Sequence, residues 1–212
     1  MKTKLLLIFI FSSLFLFAQD SIKYTEEARL IAFTPLHKID KVNGIAIGIG
    51  MDEIIRNNVS KKTINGLNID INLTGFLLFC FYDTSKIVNS GDVLQQNGIN
   101  ISLAGFLRNN SHNGVNVSLY NYGNKMNGVS VAVIGNVVEE INGVYIGGMS
   151  NYAEKGRGVT IGVFNEVKEF KGLQIGIRNK SDNMKGIQIG LWNVNGKRKL
   201  PIINWNFKNL KS

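Results

Sequence analysis

The chain has 212 residues and a formal net charge of +9, from 24 Lys+Arg against 15 Asp+Glu; 44% of residues are apolar and 18% charged. The length allows one domain or at most two, and the apolar fraction excludes a disordered chain. One Cys excludes a disulfide framework within the monomer and any cysteine-cluster metal site.

Met1–Ala18 has the pattern of a secretory signal peptide. Lys2 and Lys4 give a positive start, Leu5–Phe17 is apolar apart from Ser12 and Ser13, and Ala18 precedes the polar Gln19-Asp20. The apolar run is too short to cross a bilayer, which takes about 20 residues. The expectation is therefore an exported protein. Residues 19–42 form a leading cap, in which Thr25–Phe33 could make one or two helical turns before Thr34-Pro35 stops them.

From residue 43 to 195 the chain repeats. The pattern Gly-apolar-x-(Ile/Val) opens at Gly44, Gly66, Gly98, Gly114, Gly128, Gly143, Gly158, Gly172 and Gly186, and the last six are 14 or 15 residues apart. The clearest units are Gly158-Val-Thr-Ile-Gly-Val-Phe-Asn165, Gly172-Leu-Gln-Ile-Gly-Ile-Arg-Asn179 and Gly186-Ile-Gln-Ile-Gly-Leu-Trp-Asn193. Counted from the opening Gly, positions +1, +3 and +5 are apolar and +2 and +4 are polar or small. Period two with β-branched residues predicts half-buried strands, with the +3 Ile turned into the core.

A closing Asn ends each strand. Asn121, Asn136, Asn151, Asn165, Asn179 and Asn193 would form one ladder at a turn if the coils stack. In the 15-residue units the extra residue belongs near Gly135 or Gly148, where a bulge would fit. A late apolar residue, at Met126, Ile141, Phe170 and Met184, returns the chain to the core.

The fold class is all-β: an array of 14–15-residue units forming a β-solenoid. The alternative is an antiparallel up-and-down sheet or an outer-membrane β-barrel, which the alternation and the end-of-strand aromatics Tyr120, Phe164 and Trp192 also suit. The repeat is degenerate at 67–97, with the bulky run Phe76–Tyr82 and a polar insertion from Ser85 to Gln96. Residues 196–212 read as a C-terminal cap strand, held to a sheet edge by Pro201.

The last units resemble the surface repeat of exported proteins from Bacteroidetes and spirochaetes, the Leptospira-type surface-repeat family. Phe33–Gly44 and Leu200-Pro-Ile-Ile-Asn-Trp205 are similar to that family's flanks. The resemblance implies export to the cell envelope or surface of a Gram-negative-type bacterium, and it carries no catalytic residues.

The residues supply little chemistry. His37 and His112 lack metal-ligand spacing and read as solvent-facing or lightly packed imidazoles. Cys80, among Leu78, Phe79, Phe81 and Tyr82, reads as a small core hydrophobe. Glu139, Glu154 and Glu169 would approach one another in stacked coils, but neighbouring Lys155, Lys168 and Lys171 make a solvated mixed-charge edge. Gly48-Ile-Gly50 lacks a phosphate-loop context. The polar +2 row (Ser130, Tyr145, Thr160, Gln174, Gln188) beside the +4 glycines could bind a glycan as a flat face. Lys61-Lys62 and Lys197-Arg198-Lys199 are the only basic clusters, and nucleic-acid binding has no motif to support it.

No catalytic, cofactor or metal site is assigned. The expected role is that of an exported structural or interaction protein, with envelope glycans, lipopolysaccharide or another surface protein as candidate partners. The alternatives are an outer-membrane or membrane-associated protein and, second, a carbohydrate-active β-helix enzyme. The residues expected to matter are architectural: Gly158, Ile161, Asn165, Gly172, Ile175, Asn179, Gly186, Ile189 and Asn193.

Overall fold

The computed structural model describes residues 28–36, 39–50, 61–71, 94–103 and 110–208. The signal-peptide reading, His37, Cys80 and the Phe76–Tyr82 run lie outside the described residues. Ten strands follow in chain order: β1 (Ala28–Thr34), β2 (Lys41–Gly48), β3 (Lys62–Asp70), β4 (Leu94–Ser102), β5 (Asn110–Gly147), β6 (Ser150–Ile161), β7 (Phe164–Ile175), β8 (Arg178–Ser181), β9 (Asn183–Asn195) and β10 (Arg198–Asn206). They form one sheet in sequential order, with β7 also pairing with β9.

Every pairing up to β9 is parallel, and the opening glycines set the register. Gly44 pairs with Gly66, Gly66 with Gly98, Gly98 with Gly114, Gly143 with Gly158, Gly158 with Gly172, and Gly172 with Gly186. Parallel neighbours spaced one repeat apart make a β-solenoid of about nine turns. The antiparallel sheet and the barrel require strands that alternate in direction, so neither describes this chain. The register also runs through the degenerate region. Leu94–Gln96, expected in an insertion, begin β4 opposite Lys62–Ile64.

The opening Gly is a geometric requirement. At Gly158, Gly172 and Gly186 φ is 121°, 149° and 142°. A Cβ there would lie 1.9 to 2.0 Å from the carbonyl oxygen of the opening Gly one coil earlier. Only a residue without a side chain can take this corner while adjacent coils hydrogen-bond.

Within a coil the two-residue rhythm of burial breaks at bends. Asn165, Val167, Phe170 and Gln174 point inward in one coil, and Asn179, Ser181, Met184 and Gln188 in the next. Met126, Ile141, Phe170 and Met184 do reach the core, stacking two places before the opening Gly in an apolar cluster with Val138, Ala153 and Val167. Val42 and Ile64 hold the same position in a second cluster near the N-terminal end. The 15-residue coil takes up its extra residue at Gly147-Gly148-Met149: Ile146 pairs with Ile161 and Ser150 with Phe164.

The N-terminal segment departs from expectation. Residues 28–33 are strand, not helix, because β2 offers an open backbone edge that Ala28, Arg29 and Ile31–Thr34 pair with. At the other end β10 runs antiparallel to β9, and the register shifts across Pro201, between Leu200 and Ile202. Proline has no N–H to donate, so it falls where the ladder is interrupted.

Candidate functional site

The alternation is as expected, but the two faces are exchanged. The polar +2 residues are the buried ones: Ser130, Thr160, Gln174 and Gln188 are each 0% exposed. The apolar +3 residues face out; Ile101 is 46% exposed and Ile189 40%. Ile161 and Ile175, taken as core positions, are half-exposed members of the same outward row. With +2 inside, the polar row presents no face to a glycan.

Period two states that one face is buried without stating which. The usual assignment rests on the cost of burying unpaired polar groups. Here stacking offsets much of that cost, although Thr160 Oγ1 and Gln174 Nε2 stay buried without a partner. The Nδ2 of Asn121 donates to Asn136 Oδ1 at 2.9 Å, Asn136 to Asn151 at 2.7 Å, Asn151 to Asn165 at 2.9 Å, Asn165 to Asn179 at 2.9 Å and Asn179 to Asn193 at 2.8 Å. The ladder is wholly buried; Asn136, Asn151, Asn165 and Asn179 each give to the next coil and accept from the previous one, and Asn193 ends it by donating to the Gly190 carbonyl. Asn68, Asn100 and Asn116 form a similar run at +2, ending on Ser130. Gln188 donates to Gln174 at 2.8 Å.

The +4 glycines make room for these amides. A Cβ on Gly176 would lie 2.6 Å from Asn165 Nδ2, and one on Gly190 would lie 2.7 Å from Asn179 Nδ2. In these last coils a Cβ at +4 would crowd the closing Asn, whereas the coils of Asn121 and Asn136 carry the small buried side chains Ser118 and Ala132 there. Gly156 likewise cedes its space to Ile141.

A second ladder went unread in the sequence. Asn43, Asn65, Asn97, Asn113, Asn127 and Asn142 each precede an opening Gly, and consecutive members are bonded at 2.6 to 2.9 Å. Arg157 Nε continues it by donating to Asn142 at 3.0 Å. The signal was six Asn-Gly pairs in repeat register.

Other chemistry is muted. His112 is 1% exposed, not solvent-facing, and burial holds its pKa down to about 4. Lys62, of the basic pair Lys61-Lys62, is buried, with Nζ 2.5 Å from Asp40 Oδ1. Burial raises the pKa of Asp70 despite hydrogen bonds from Ser102 and Asn68. The glutamates do not cluster. Glu154 pairs with Lys168 at 2.8 Å, Glu169 with Lys155 at 3.8 Å and Glu140 with Lys125 at 3.1 Å. Parallel register interleaves the signs, and Lys155 sits between Glu140 and Glu169. Among the described residues no group of three His, Cys, Asp or Glu could hold a metal ion.

What the fold does build is an aliphatic plane. The +1 column runs Ile45, Leu67, Ile99, Val115, Val129, Val144, Val159, Leu173, Ile187. The +3 column runs Ile47, Ile69, Ile101, Val117, Val131, Ile146, Ile161, Ile175, Ile189. The +5 column runs Ile49, Ile71, Leu103, Leu119, Val133, Gly148, Val163, Ile177, Leu191. Apart from Gly148 every position is Ile, Leu or Val. At one end Phe33 pairs beside Ile47; at the other Trp205 and Ile203 pair beside Ile187 and Ile189.

At about 3.3 Å per residue and about 4.8 Å per strand, the plane measures roughly 13 by 38 Å between its outermost positions. That is on the order of 500 Å², towards the upper end of what soluble monomers expose. Removing it from water would gain on the order of 12 kcal/mol. Such a face is a standing drive for association. No family model, curated protein or solved structure matches the chain.

Proposed function

We propose that the protein is an exported, non-enzymatic component of the bacterial envelope or surface, whose working part is the aliphatic plane. The observation that carries this reading is the run of Ile, Leu and Val through all three outward columns, interrupted only at Gly148. The buried interior specifies the fold through amide ladders, so the outward face is free of the core-packing demand that would otherwise account for its composition. The leader-like Met1–Ala18 and the resemblance of the last units to a surface-repeat family support export.

The test is fractionation of producing cells carrying wild type or the triple variant Val131→Glu, Ile161→Glu, Ile175→Glu. Both should leave the cytoplasm and fold, and the variant should shift from the envelope-bound to the soluble fraction. An unchanged distribution with a folded variant would sink the proposal.

A further inference from the structure

We propose that the aliphatic plane docks on a lipid surface bearing anionic headgroups; this rests on the reading of that plane as the working part. The argument comes from what borders it. On one side lies the column before the opening Gly: Asn through Asn142, then Arg157, Lys171 and Lys185. On the other lies the +6 column, whose described members are Gly50, Tyr120, Ile134, Met149, Phe164, Arg178 and Trp192. Among the described residues neither border contains an acid.

The carboxylates sit elsewhere. Glu139, Glu140, Glu154, Glu166, Glu169 and Asp182 lie on the remaining sides of the coils, and Glu140, Glu154, Glu166 and Glu169 pair there with lysines. The parallel register therefore sorts charge into two border columns whose only charged members are cations, Arg157, Lys171, Lys185 and Arg178, and a mixed-charge edge next to them, where Glu140 accepts from Asn142 of the border. Long Lys and Arg stems can lie along apolar surface while their charged heads reach a headgroup layer. Trp192, Trp205 and Phe207 are exposed at the C-terminal end of the plane, and Trp favours the membrane–water boundary. A second copy of the chain would bring an equally cationic margin; an anionic bilayer brings the opposite sign.

The experiment is vesicle flotation of the full chain, produced with its own leader and with its N-terminus read by intact mass. The probes are phosphatidylcholine vesicles with and without about 30 mol% phosphatidylglycerol. Flotation should be at least about tenfold stronger with the anionic lipid and should weaken in high salt. The triple Glu variant of the plane should lose it. Lys171→Gln, Lys185→Gln leaves both the plane and the Arg157–Asn142 bond intact, and its fold is checked by circular dichroism; it should bind severalfold less and with less salt dependence.

Equal binding by the plane variant and wild type overturns the lipid proposal. Equal binding to both vesicle types, unmoved by the rim variant, overturns the anionic preference. If wild type floats with neither vesicle yet sediments as a dimer that the plane variant dissociates, the lipid proposal fails and the plane remains the working part, covered by a second copy. If the plane variant changes neither flotation, self-association nor envelope retention, both readings fail.

Discussion

A methyl group on Gly172 would meet the Gly158 carbonyl oxygen at 1.9 Å, on a backbone at φ 149°. Neither the contact nor the dihedral can relax without parting two coils. Gly172→Ala should therefore cost about 3 kcal/mol or more, read as a lower denaturant midpoint. Asn165 accepts from Asn151 and donates to Asn179 and to the Ile175 carbonyl. Asn165→Ala leaves buried partners unmade and should cost about 2–3 kcal/mol, against under about 0.5 kcal/mol for Lys168→Ala on the solvated edge. A result in which both changes cost the same would remove the ladder from the account.

His112 adds a pH dependence. Its pKa lies at about 4 when folded against 6.5 when exposed, because burial disfavours the charged ring. Above pH 6.5 the ring is neutral in both states and its contribution is complete. Between 6.5 and 4 the unfolded chain binds a proton that the native state refuses, so stability falls by up to about 3 kcal/mol. Glu140 and Glu154 are held below the usual carboxylate range by side-chain hydrogen bonds to Asn142 and Lys168, so they lose their own contribution at lower pH. Unfolding of wild type and His112→Gln followed from pH 7 to 4 should show the steeper decline in wild type. Parallel curves would mean that His112 titrates freely.

At the scale of elements, much was legible. The opening glycines gave, through their spacing, the stacking register; the strands themselves begin earlier, at Lys41 before Gly44 and at Phe164 before Gly172. The Asn column does form a ladder, because a directional repeat brings identical residues together only if neighbours are parallel, but its members do not end strands: Asn151, Asn165 and Asn179 are the second residues of β6, β7 and β8. The face of burial was not legible, since alternation is symmetric under exchange of faces. What decides it is the interior's width: a space in which a Cβ on Gly176 or Gly190 would crowd the stacked Asn has no room for three aliphatic columns. The six Asn-Gly pairs could have been found, as their register matches the repeat. The strand at Ala28–Thr34 could not, because its partner edge is created only when β2 forms. The sheet ends at β10, where Pro201 interrupts the ladder. Deleting residues 197–208 would leave β9 as a bare parallel edge. It should raise light scattering over hours at concentrations where the full chain stays clear; a deletion variant that remains monomeric would deny β10 a protective role.

For the whole molecule, the inversion ties stability to function. Amide ladders and two apolar clusters hold the coils from within, leaving Ile, Leu and Val to form one outward plane. Ile175→Asp should consequently fold, since it places a charge on the surface and not in the core. The most direct measurement is thiol labelling with Cys80 replaced by Ser and a single Cys placed at adjacent positions, Thr160→Cys or Ile161→Cys. In the native, lipid-free protein a maleimide should label Cys at 161 readily and at 160 only after denaturation. Protection at 161 with free labelling at 160 would put the aliphatic columns inside and contradict the account.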